Sequence, residues 1–146
     1  MKHDAYIIAG PTASGKSDFA HVLARRVNGV IINCDSVQIY RGIENISASP
    51  FAGRALSDEI DGVPYRLFSV LSLTEQISVS DYLNLARREY SVAHRVGRTP
   101  IFVGGTGYYI NALINGISPM PDISDENRRR AREMVIVDLD AARKML

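Results

Sequence analysis

The most informative segment of this 146-residue chain lies near its amino terminus and reads Gly10-Pro11-Thr12-Ala13-Ser14-Gly15-Lys16-Ser17. It matches the pattern G-x-x-x-x-G-K-[ST] at every fixed position. The short apolar run at 5–9 predicts a buried strand before it, and apolar residues at three- and four-residue steps over 16–27 predict a helix behind it. Because this pattern binds phosphate when it joins a strand to a helix, we predict that these eight residues form a phosphate-binding loop.

Each fixed residue type of this pattern contributes to the binding of phosphate or of its metal ion. Its glycines allow backbone N–H groups to wrap phosphate oxygens at the positive end of the helix. Lys16 adds a positive charge, and the hydroxyl of Ser17 can ligate Mg²⁺. A glycine-rich turn without a ligand would not need Lys and Ser at these two positions. We therefore predict that the chain binds a di- or triphosphate together with Mg²⁺.

The same sequence patterns predict a parallel sheet around the loop. Apolar residues at 30–32 predict a second strand, which completes a β-α-β unit. The other predicted elements are strands at 65–71 and 100–103, helices at 79–96, 108–115 and from 125 onward, and a loop over 41–64 with a short helix at 50–58. Strands that alternate with helices indicate an α/β fold, a P-loop NTPase-like parallel sheet flanked by helices. Ligands of such sheets bind beyond the carboxyl ends of the strands.

Composition and charge restrict the class of protein. With 46% hydrophobic residues the chain has the content of one ordinary domain, and 17 Lys and Arg against 16 Asp and Glu give a net charge of +1. That balance argues against a protein that coats nucleic acid by bulk attraction. Cys34 is the only cysteine, so we expect a reducing, cytoplasmic setting. We expect no export signal and no membrane anchor.

Asp35 follows the second predicted strand, on the same side of the sheet as the loop. Its carboxylate can hold Mg²⁺ through water, act as a general base on an acceptor, or cap the following turn, and the sequence leaves these roles open. The strand at 100–103 runs into Gly104-Gly105-Thr106 instead of an acidic residue. Because ordinary P-loop ATPases carry an acid there, this class is disfavoured.

The residues after Asp35 are dense in groups that can contact a nucleic-acid base, including an amide at Gln38 that can bond an adenine edge twice. If the segment turns helically, Asp35 and Gln38 point the same way, and if it stays extended they point apart. A basic cluster at 128–132 lies on the last predicted helix. It is either a solvated helix face balanced by nearby acids or a contact for a phosphate backbone.

Four segments together resemble one enzyme family, the tRNA dimethylallyltransferases, also called tRNA isopentenyltransferases or IPP transferases. They are the loop at 10–17, D-S-x-Q-x-Y at 35–40, V-P-Y-R-L at 63–67, and V-G-G-T-G-x-Y at 103–109 followed by G-x-x-x-x-P at 116–121. Their order and spacing match the family over nearly the whole chain.

The resemblance implies transfer of a dimethylallyl group from its diphosphate to the N6 amine of the adenine beside the tRNA anticodon. The loop would grip the leaving pyrophosphate with Mg²⁺, and Lys16 and Asp35 would be the catalytic residues, Asp35 as the base. By the same resemblance, the tRNA contacts are Asp35, Ser36, Val37, Gln38, Thr106 and Arg128. It also implies an α/β core over 1–121 followed by the start of a helical tRNA-binding region over 122–146. We expect a monomer.

The chain departs from the family pattern at two places, with Ser47-Ala48-Ser49-Pro50 where the family has T-A-K-P and Ser72-Leu73 where it has Asp-Pro. Family members also continue into further helices and an arginine that contacts the diphosphate. We therefore expect this chain to be the amino-terminal part of a longer enzyme, able to bind diphosphate and inactive alone.

Three other functions remain open from the sequence. The first is a small P-loop kinase that passes a phosphoryl group from ATP to an acceptor held by Asp35, although no arginine-bearing lid is visible. The second is a non-catalytic RNA-binding fragment that relies on the arginines at 128–132. The third is a transferase that prenylates free adenine nucleotides instead of tRNA.

Overall fold

The computed structural model describes residues 4–118, 123–137 and 143. Nine elements follow one another in the described part of the chain. They are β1 (Tyr6–Ala9), α1 (Lys16–Val27), β2 (Gly29–Asn33), β3 (Glu59–Ile60), β4 (Val63–Arg66), α2 (Val79–Arg95), β5 (Thr99–Gly104), α3 (Gly107–Asn115) and α4 (Asp125–Val137).

The five strands form one sheet in the order β1-β5-β2-β4-β3. The strands β1, β5, β2 and β4 are parallel, and β3 joins β4 as an antiparallel edge strand. The predicted α/β class and its parallel, helix-flanked sheet are therefore confirmed. Since β5 lies between β1 and β2, the turns that follow these three strands meet at one edge of the sheet.

Helices cover the two faces of the sheet, and each face has its own hydrophobic core. Ile31 and Ile101, which are paired in register, face α1, whereas Ile32 and Phe102 face α2 and α3. Both central strands are buried on both faces, which is why they read as continuous apolar runs.

The predicted helix limits agree well with the structure where local signals are strong. Helix α1 ends at Val27, before Asn28 in the left-handed conformation, and α2 begins after Ser78. The Ser78 hydroxyl accepts the Asp81 N–H, and the Asp81 carboxylate accepts the Ser78 N–H. This reciprocal pair is the capping box that the sequence predicts.

The predictions between 41 and 71 are wrong in three respects. Turns and bends occupy 50–54, so no helix forms at 50–58. The region contains β3 and the start of β4, joined by Asp61 and Gly62 with φ of 48° and 80°. Such an Asp-Gly pair is a strong signal for a two-residue hairpin, and the sequence interpretation missed it. The predicted strand at 65–71 is shifted, because β4 ends at Arg66, where Leu67 turns left-handed with φ 62°.

Helix α4 begins at Asp125, as predicted, and buries none of its residues. The end of the G-x-x-x-x-P motif at 119–121, the proposed boundary between 121 and 122, and most residues after 137 lie outside the described part of the chain. In the described part, no helix has the length and apolar character needed to cross a membrane.

Candidate active site

The loop between β1 and α1 is exposed and tightly curved. Gly15 caps α1 in the left-handed conformation with φ 78°, and Ala13 is also left-handed with φ 62°. The Lys16 ammonium folds back over the loop and donates to the Pro11 carbonyl at 2.7 Å. The geometry suits an anion, because the first N–H groups of α1 have no helical partner and the lysine charge lies beside them.

Asp35 lies just beyond β2 and uses one carboxylate oxygen to cap a turn. Its Oδ1 accepts the N–H groups of Val37 at 2.9 Å and Gln38 at 3.3 Å. The capping role considered for Asp35 is therefore present in the structure. Its Oδ2 makes no hydrogen bond among the described residues and lies near Gly105, where an added Cβ would be 3.7 Å away. One carboxylate oxygen thus remains for chemistry.

The segment after Asp35 turns and does not stay extended, which settles the two geometries left open by the sequence. The side chains of Asp35 and Gln38 consequently line the same pocket. The Gln38 amide nitrogen donates to the carbonyls of Ser47 and Ala48 at 3.0 and 3.1 Å. Both amide hydrogens are thereby used, so the Gln38 amide cannot form the expected pair of hydrogen bonds with an adenine edge. Only its Oε1 remains free, as an acceptor.

Thr106 connects the turn after β5 to the turn after β2. Its Oγ1 accepts the Ser36 N–H at 2.9 Å and donates to the Ser36 hydroxyl at 3.2 Å. Thr106 also precedes the first residue of α3. The side chain of Val37 stands beside these residues and is 48% exposed. The structure thus brings Ser36 and Thr106 together.

Gly104 explains why the strand β5 ends in glycine instead of an acidic residue. A Cβ placed on Gly104 would lie 2.0 Å from the Cys34 carbonyl oxygen and 2.8 Å from the Asp35 nitrogen. Neither the carbonyl nor the nitrogen can rotate away, because both belong to the backbone. Any side chain at position 104 would therefore push β5 away from the peptide that carries Asp35.

An open pocket joins the loop to Asp35. Its cavity volume is about 80 Å³, and the whole cleft measures about 570 Å³ when the open solvent at its mouth is included. Its lining contains both polar and apolar side chains. The polar lining residues are Thr12, Lys16, Ser17, Asp35, Gln38 and Ser47, and the apolar ones include Ile31, Pro50, Tyr65, Phe68 and Val103.

The aromatic wall of this pocket was not predicted from the sequence. Tyr65 and Phe68 lie 5.6 Å apart between ring centroids, and Phe51 packs edge-on against both. His21 Nδ1 lies 3.0 Å from the Tyr65 hydroxyl. Burial, reinforced by the nearby Asp18 carboxylate, raises the pKa of Tyr65 to about 12, so the phenol stays neutral. The V-P-Y-R-L segment was the available signal, since it delivers Tyr65 to the carboxyl end of a strand.

Arg128 lies on α4, and among the described residues α4 contributes none to the pocket. The whole basic cluster at 128–132 is exposed. Arg129 and Glu133, one helical turn apart, form an exposed ion pair of 3.9 Å. The described contacts are thus those of a solvated helix face, and a phosphate-backbone contact for Arg128 remains a prediction.

Metal ligands are few at this site. Within the described residues, no cluster of three or more His, Cys, Asp or Glu side chains could hold a metal ion. Ser17 and Asp35 both line the pocket, which offers one hydroxyl and one carboxylate. That donor set fits a Mg²⁺ ion that takes most of its ligands from a bound diphosphate and from water, as Mg²⁺ commonly does.

The sheet order, the glycine-rich turn before α1 and Lys16 at its first position define a P-loop α/β protein. The family model for IPP transferases matches residues 38–146. A tRNA dimethylallyltransferase of Zymomonas mobilis is 42% identical over 97% of this chain and 44% of its own length. A tRNA dimethylallyltransferase of Rickettsia bellii is 44% identical over 92% of this chain and 41% of its own length.

Two solved structures have the same fold. The tRNA isopentenylpyrophosphate transferase of Bacillus halodurans has a TM-score of 0.71 and 32% identity, over 97% of this chain and 50% of its own. A eukaryotic dimethylallyltransferase acting on tRNA has a TM-score of 0.70 and 26% identity, over 96% of this chain and 37% of its own length.

The chain belongs to the IPP transferase family, and the resemblance seen in its four motifs is confirmed. It spans less than half the length of these two curated relatives. The comparisons do not support the kinase alternative.

Proposed function

We propose that the chain binds dimethylallyl diphosphate and serves in the transfer of its dimethylallyl group to the N6 amine of the adenine on the 3′ side of the tRNA anticodon. The observation that carries the proposal is a pocket with three parts: the loop, a carboxylate oxygen that has no hydrogen bond among the described residues, and several apolar lining residues. The relatives named tRNA dimethylallyltransferase, and the solved structure of a dimethylallyltransferase acting on tRNA, support it.

The polar and the apolar lining residues of the pocket match the two parts of the donor. The diphosphate would lie on the loop residues Gly10 to Ser17, where Lys16 would exchange its bond to the Pro11 carbonyl for one to a phosphate oxygen. The branched hydrocarbon would pack against Phe68 and Val103. Breaking the allylic C–O bond places negative charge on the leaving pyrophosphate, and the loop N–H groups and Lys16 stabilise that charge. Mg²⁺, held through Ser17, would supply further neutralisation of the same group.

The acceptor amine would face two oxygens. Asp35 Oδ2 is positioned to take a proton as the new C–N bond forms, because its partner Oδ1 is already committed to the turn. Gln38 Oε1 is the second acceptor, since its nitrogen is held by Ser47 and Ala48. These two acceptor oxygens match the two hydrogens of an exocyclic amine. They would repel a base that carries a carbonyl oxygen in the place of that amine. Ser36, Val37 and Thr106 would lie around the extruded base.

The remaining tRNA contacts belong in this proposal to the carboxyl-terminal part of the chain. In this proposal residues 1–121 would form the α/β core, and 122–146 would begin a helical tRNA-binding region in which Arg128 would contact the tRNA backbone. The exposed arginines of α4 support this assignment, because an exposed basic helix face can take phosphate contacts without rearrangement. The protein would act in the cytoplasm as a monomer.

Calorimetry tests the donor. We would titrate the chain, with Mg²⁺, with an unreactive thiolo analogue of dimethylallyl diphosphate and with ATP, on wild type, Lys16→Ala and Arg26→Ala. Arg26 is a matched control, because it is an exposed cation on the same helix and lies outside the pocket. We expect the analogue to be preferred and Lys16→Ala to weaken it about 10- to 100-fold, the value of a charge-assisted hydrogen bond.

The other outcomes are equally informative. Preference for ATP would replace the proposal with the kinase, and binding of neither compound would refute a donor site in this chain. Salt-dependent binding of anticodon stem-loop RNA, unaffected by Lys16→Ala and without analogue binding, would favour the non-catalytic RNA-binding function.

A further inference from the structure

Asn33, the last residue of β2, is a polar side chain with no exposed surface. Its Oδ1 accepts the Asp35 N–H at 3.0 Å, and its Nδ2 donates to the Asp35 carbonyl at 3.0 Å. Nδ2 also donates to the Leu67 carbonyl at 3.0 Å. The amide therefore holds both backbone groups of Asp35 and joins them to the residue that follows β4.

These three bonds fix the orientation of the amide. Two of its partners are carbonyl oxygens and one is an N–H, so the opposite orientation would place Oδ1 against oxygen. A buried polar group whose donors and acceptors are all used holds its surroundings in a single arrangement. The hydrogen bonds to Asp35 and to Leu67 therefore require an amide side chain at position 33.

The bond to Leu67 reaches the aromatic wall. Leu67 and Ser69 are both left-handed, with φ of 62° and 52°, and Phe68 between them lines the pocket. Residues other than glycine keep this conformation only where surrounding contacts hold it. Asn33 holds Leu67, while the Ser69 N–H donates to the Gln38 carbonyl and the Arg41 Nε donates to the Ser69 carbonyl.

We propose that Asn33 is a positioning residue that sets the Asp35 carboxylate and the Phe68 ring at a fixed separation, so that base and hydrocarbon are aligned for transfer. Asn33 touches neither substrate, and its catalytic consequence rests on the proposed function. The hydrogen bonds that the structure describes for its amide go to Asp35 and Leu67 and none goes to the loop at 10–17. Loss of the amide should therefore reduce the rate of transfer without weakening the binding of the diphosphate.

Tyr82 provides the matched control, because it bonds the same residue through a different group. Its hydroxyl donates to the Asn33 backbone carbonyl at 3.1 Å, and it is fully buried. Tyr82→Phe removes this buried hydrogen bond, together with the interaction of the same hydroxyl with Cys34, and leaves all three amide bonds in place. A general loss of stability would affect both variants, whereas loss of alignment would affect only the Asn33 variants.

The experiment compares wild type, Asn33→Ala, Asn33→Asp and Tyr82→Phe. Asn33→Asp keeps the shape and the acceptor for the Asp35 N–H, and in its ionised form it loses both donors. For both Asn33 variants we expect unchanged affinity for the thiolo analogue and about 100-fold slower transfer to anticodon stem-loop RNA in the full-length enzyme at unchanged KM for the donor. Faster backbone amide exchange at Asp35 is expected for Asn33→Ala alone, because Asn33→Asp keeps the acceptor of that N–H. Tyr82→Phe should match wild type in analogue affinity, in amide exchange at Asp35 and in the rate of transfer.

Several results would overturn the inference. They are wild-type transfer by both Asn33 variants, an equal loss in Tyr82→Phe, or a parallel loss of analogue binding. Fast exchange of the Asp35 amide in the wild type would also overturn it, and that measurement needs no variant to fold. If the wild type transfers nothing, the proposed function fails, and amide exchange at Asp35 still decides whether Asn33 fixes that residue.

Discussion

Substitution of Gly104 by alanine should separate β5 from the peptide that carries Asp35. The added Cβ would lie 2.0 Å from the Cys34 oxygen and 2.2 Å from the Cys34 carbonyl carbon, whereas Cβ contacts under 3.0 Å are essentially never observed. The two backbones must therefore move apart by about 1 Å. Gly104 is the last residue of β5, and Cys34 directly follows β2. These two central parallel strands pair from Gly29 with Thr99 to Asn33 with Val103, so the movement is resisted along the sheet.

The size of the effect follows from this geometry. Overpacking a tight interior costs typically about 1–3 kcal/mol. For a chain of this length that corresponds to a fall in Tm of roughly 2–12 °C. A displacement of Asp35 by about 1 Å should also slow transfer on the order of 100-fold. Diphosphate binding should change less than transfer, because the three atoms nearest to the added group belong to Cys34 and Asp35 and none to the loop.

Thermal unfolding of Gly104→Ala should be measured beside Gly107→Ala. Gly107 is the first residue of α3, and a Cβ there meets nothing within 4 Å. We expect this control to raise stability by about 0.4–1 kcal/mol, because alanine restricts the unfolded chain more than glycine does. If Gly104→Ala unfolds at the wild-type temperature and transfers normally, the close approach of Gly104 to Cys34 does not determine the position of Asp35.

Three further predictions concern other parts of the molecule. Asp35→Asn keeps an oxygen that can accept the N–H groups of the turn, so the stability of the fold should not change. Transfer in the full-length enzyme should fall on the order of 10²–10⁴-fold, and normal transfer would exclude Asp35 as the base. Ser78→Ala should cost about 1 kcal/mol by calorimetric unfolding, because it removes the capping box, and no loss would show that the cap contributes nothing. Burial raises the pKa of Cys34 to about 11, so stability should fall as pH rises above about 8.5, where the unfolded thiol ionises. Cys34→Ala should reduce that dependence on pH, and an unchanged slope would contradict the assignment.

The sequence predicted the elements whose signals are local. The loop pattern, the apolar stripe of α1 and the capping box at Ser78 each act within a few residues, and the structure has each element where it was expected. The parallel sheet followed from the alternation of strands and helices. By contrast, the strand at 65–71 was misplaced because the left-handed turn at Leu67 is stabilised by Asn33, which is 34 residues away in the sequence.

The candidate site was only partly accessible from the sequence. Motifs identified the loop and Asp35, but the use of the Gln38 amide depends on carbonyls at Ser47 and Ala48, whose approach no periodicity indicates. The roles of Asn33 and Gly104 arise from contacts between strands that are distant in sequence. A polar residue at the end of an otherwise apolar strand was the only available signal for Asn33.

The central claim is that one pocket holds the donor between the loop and Asp35, and a crystal structure of this chain with Mg²⁺ and the thiolo analogue tests it most directly. We predict that the diphosphate contacts Lys16 and the N–H groups of residues 10–17, with the branched tail against Phe68 and the allylic carbon facing Asp35 Oδ2. A diphosphate bound elsewhere, or a tail directed away from Asp35, would contradict the account.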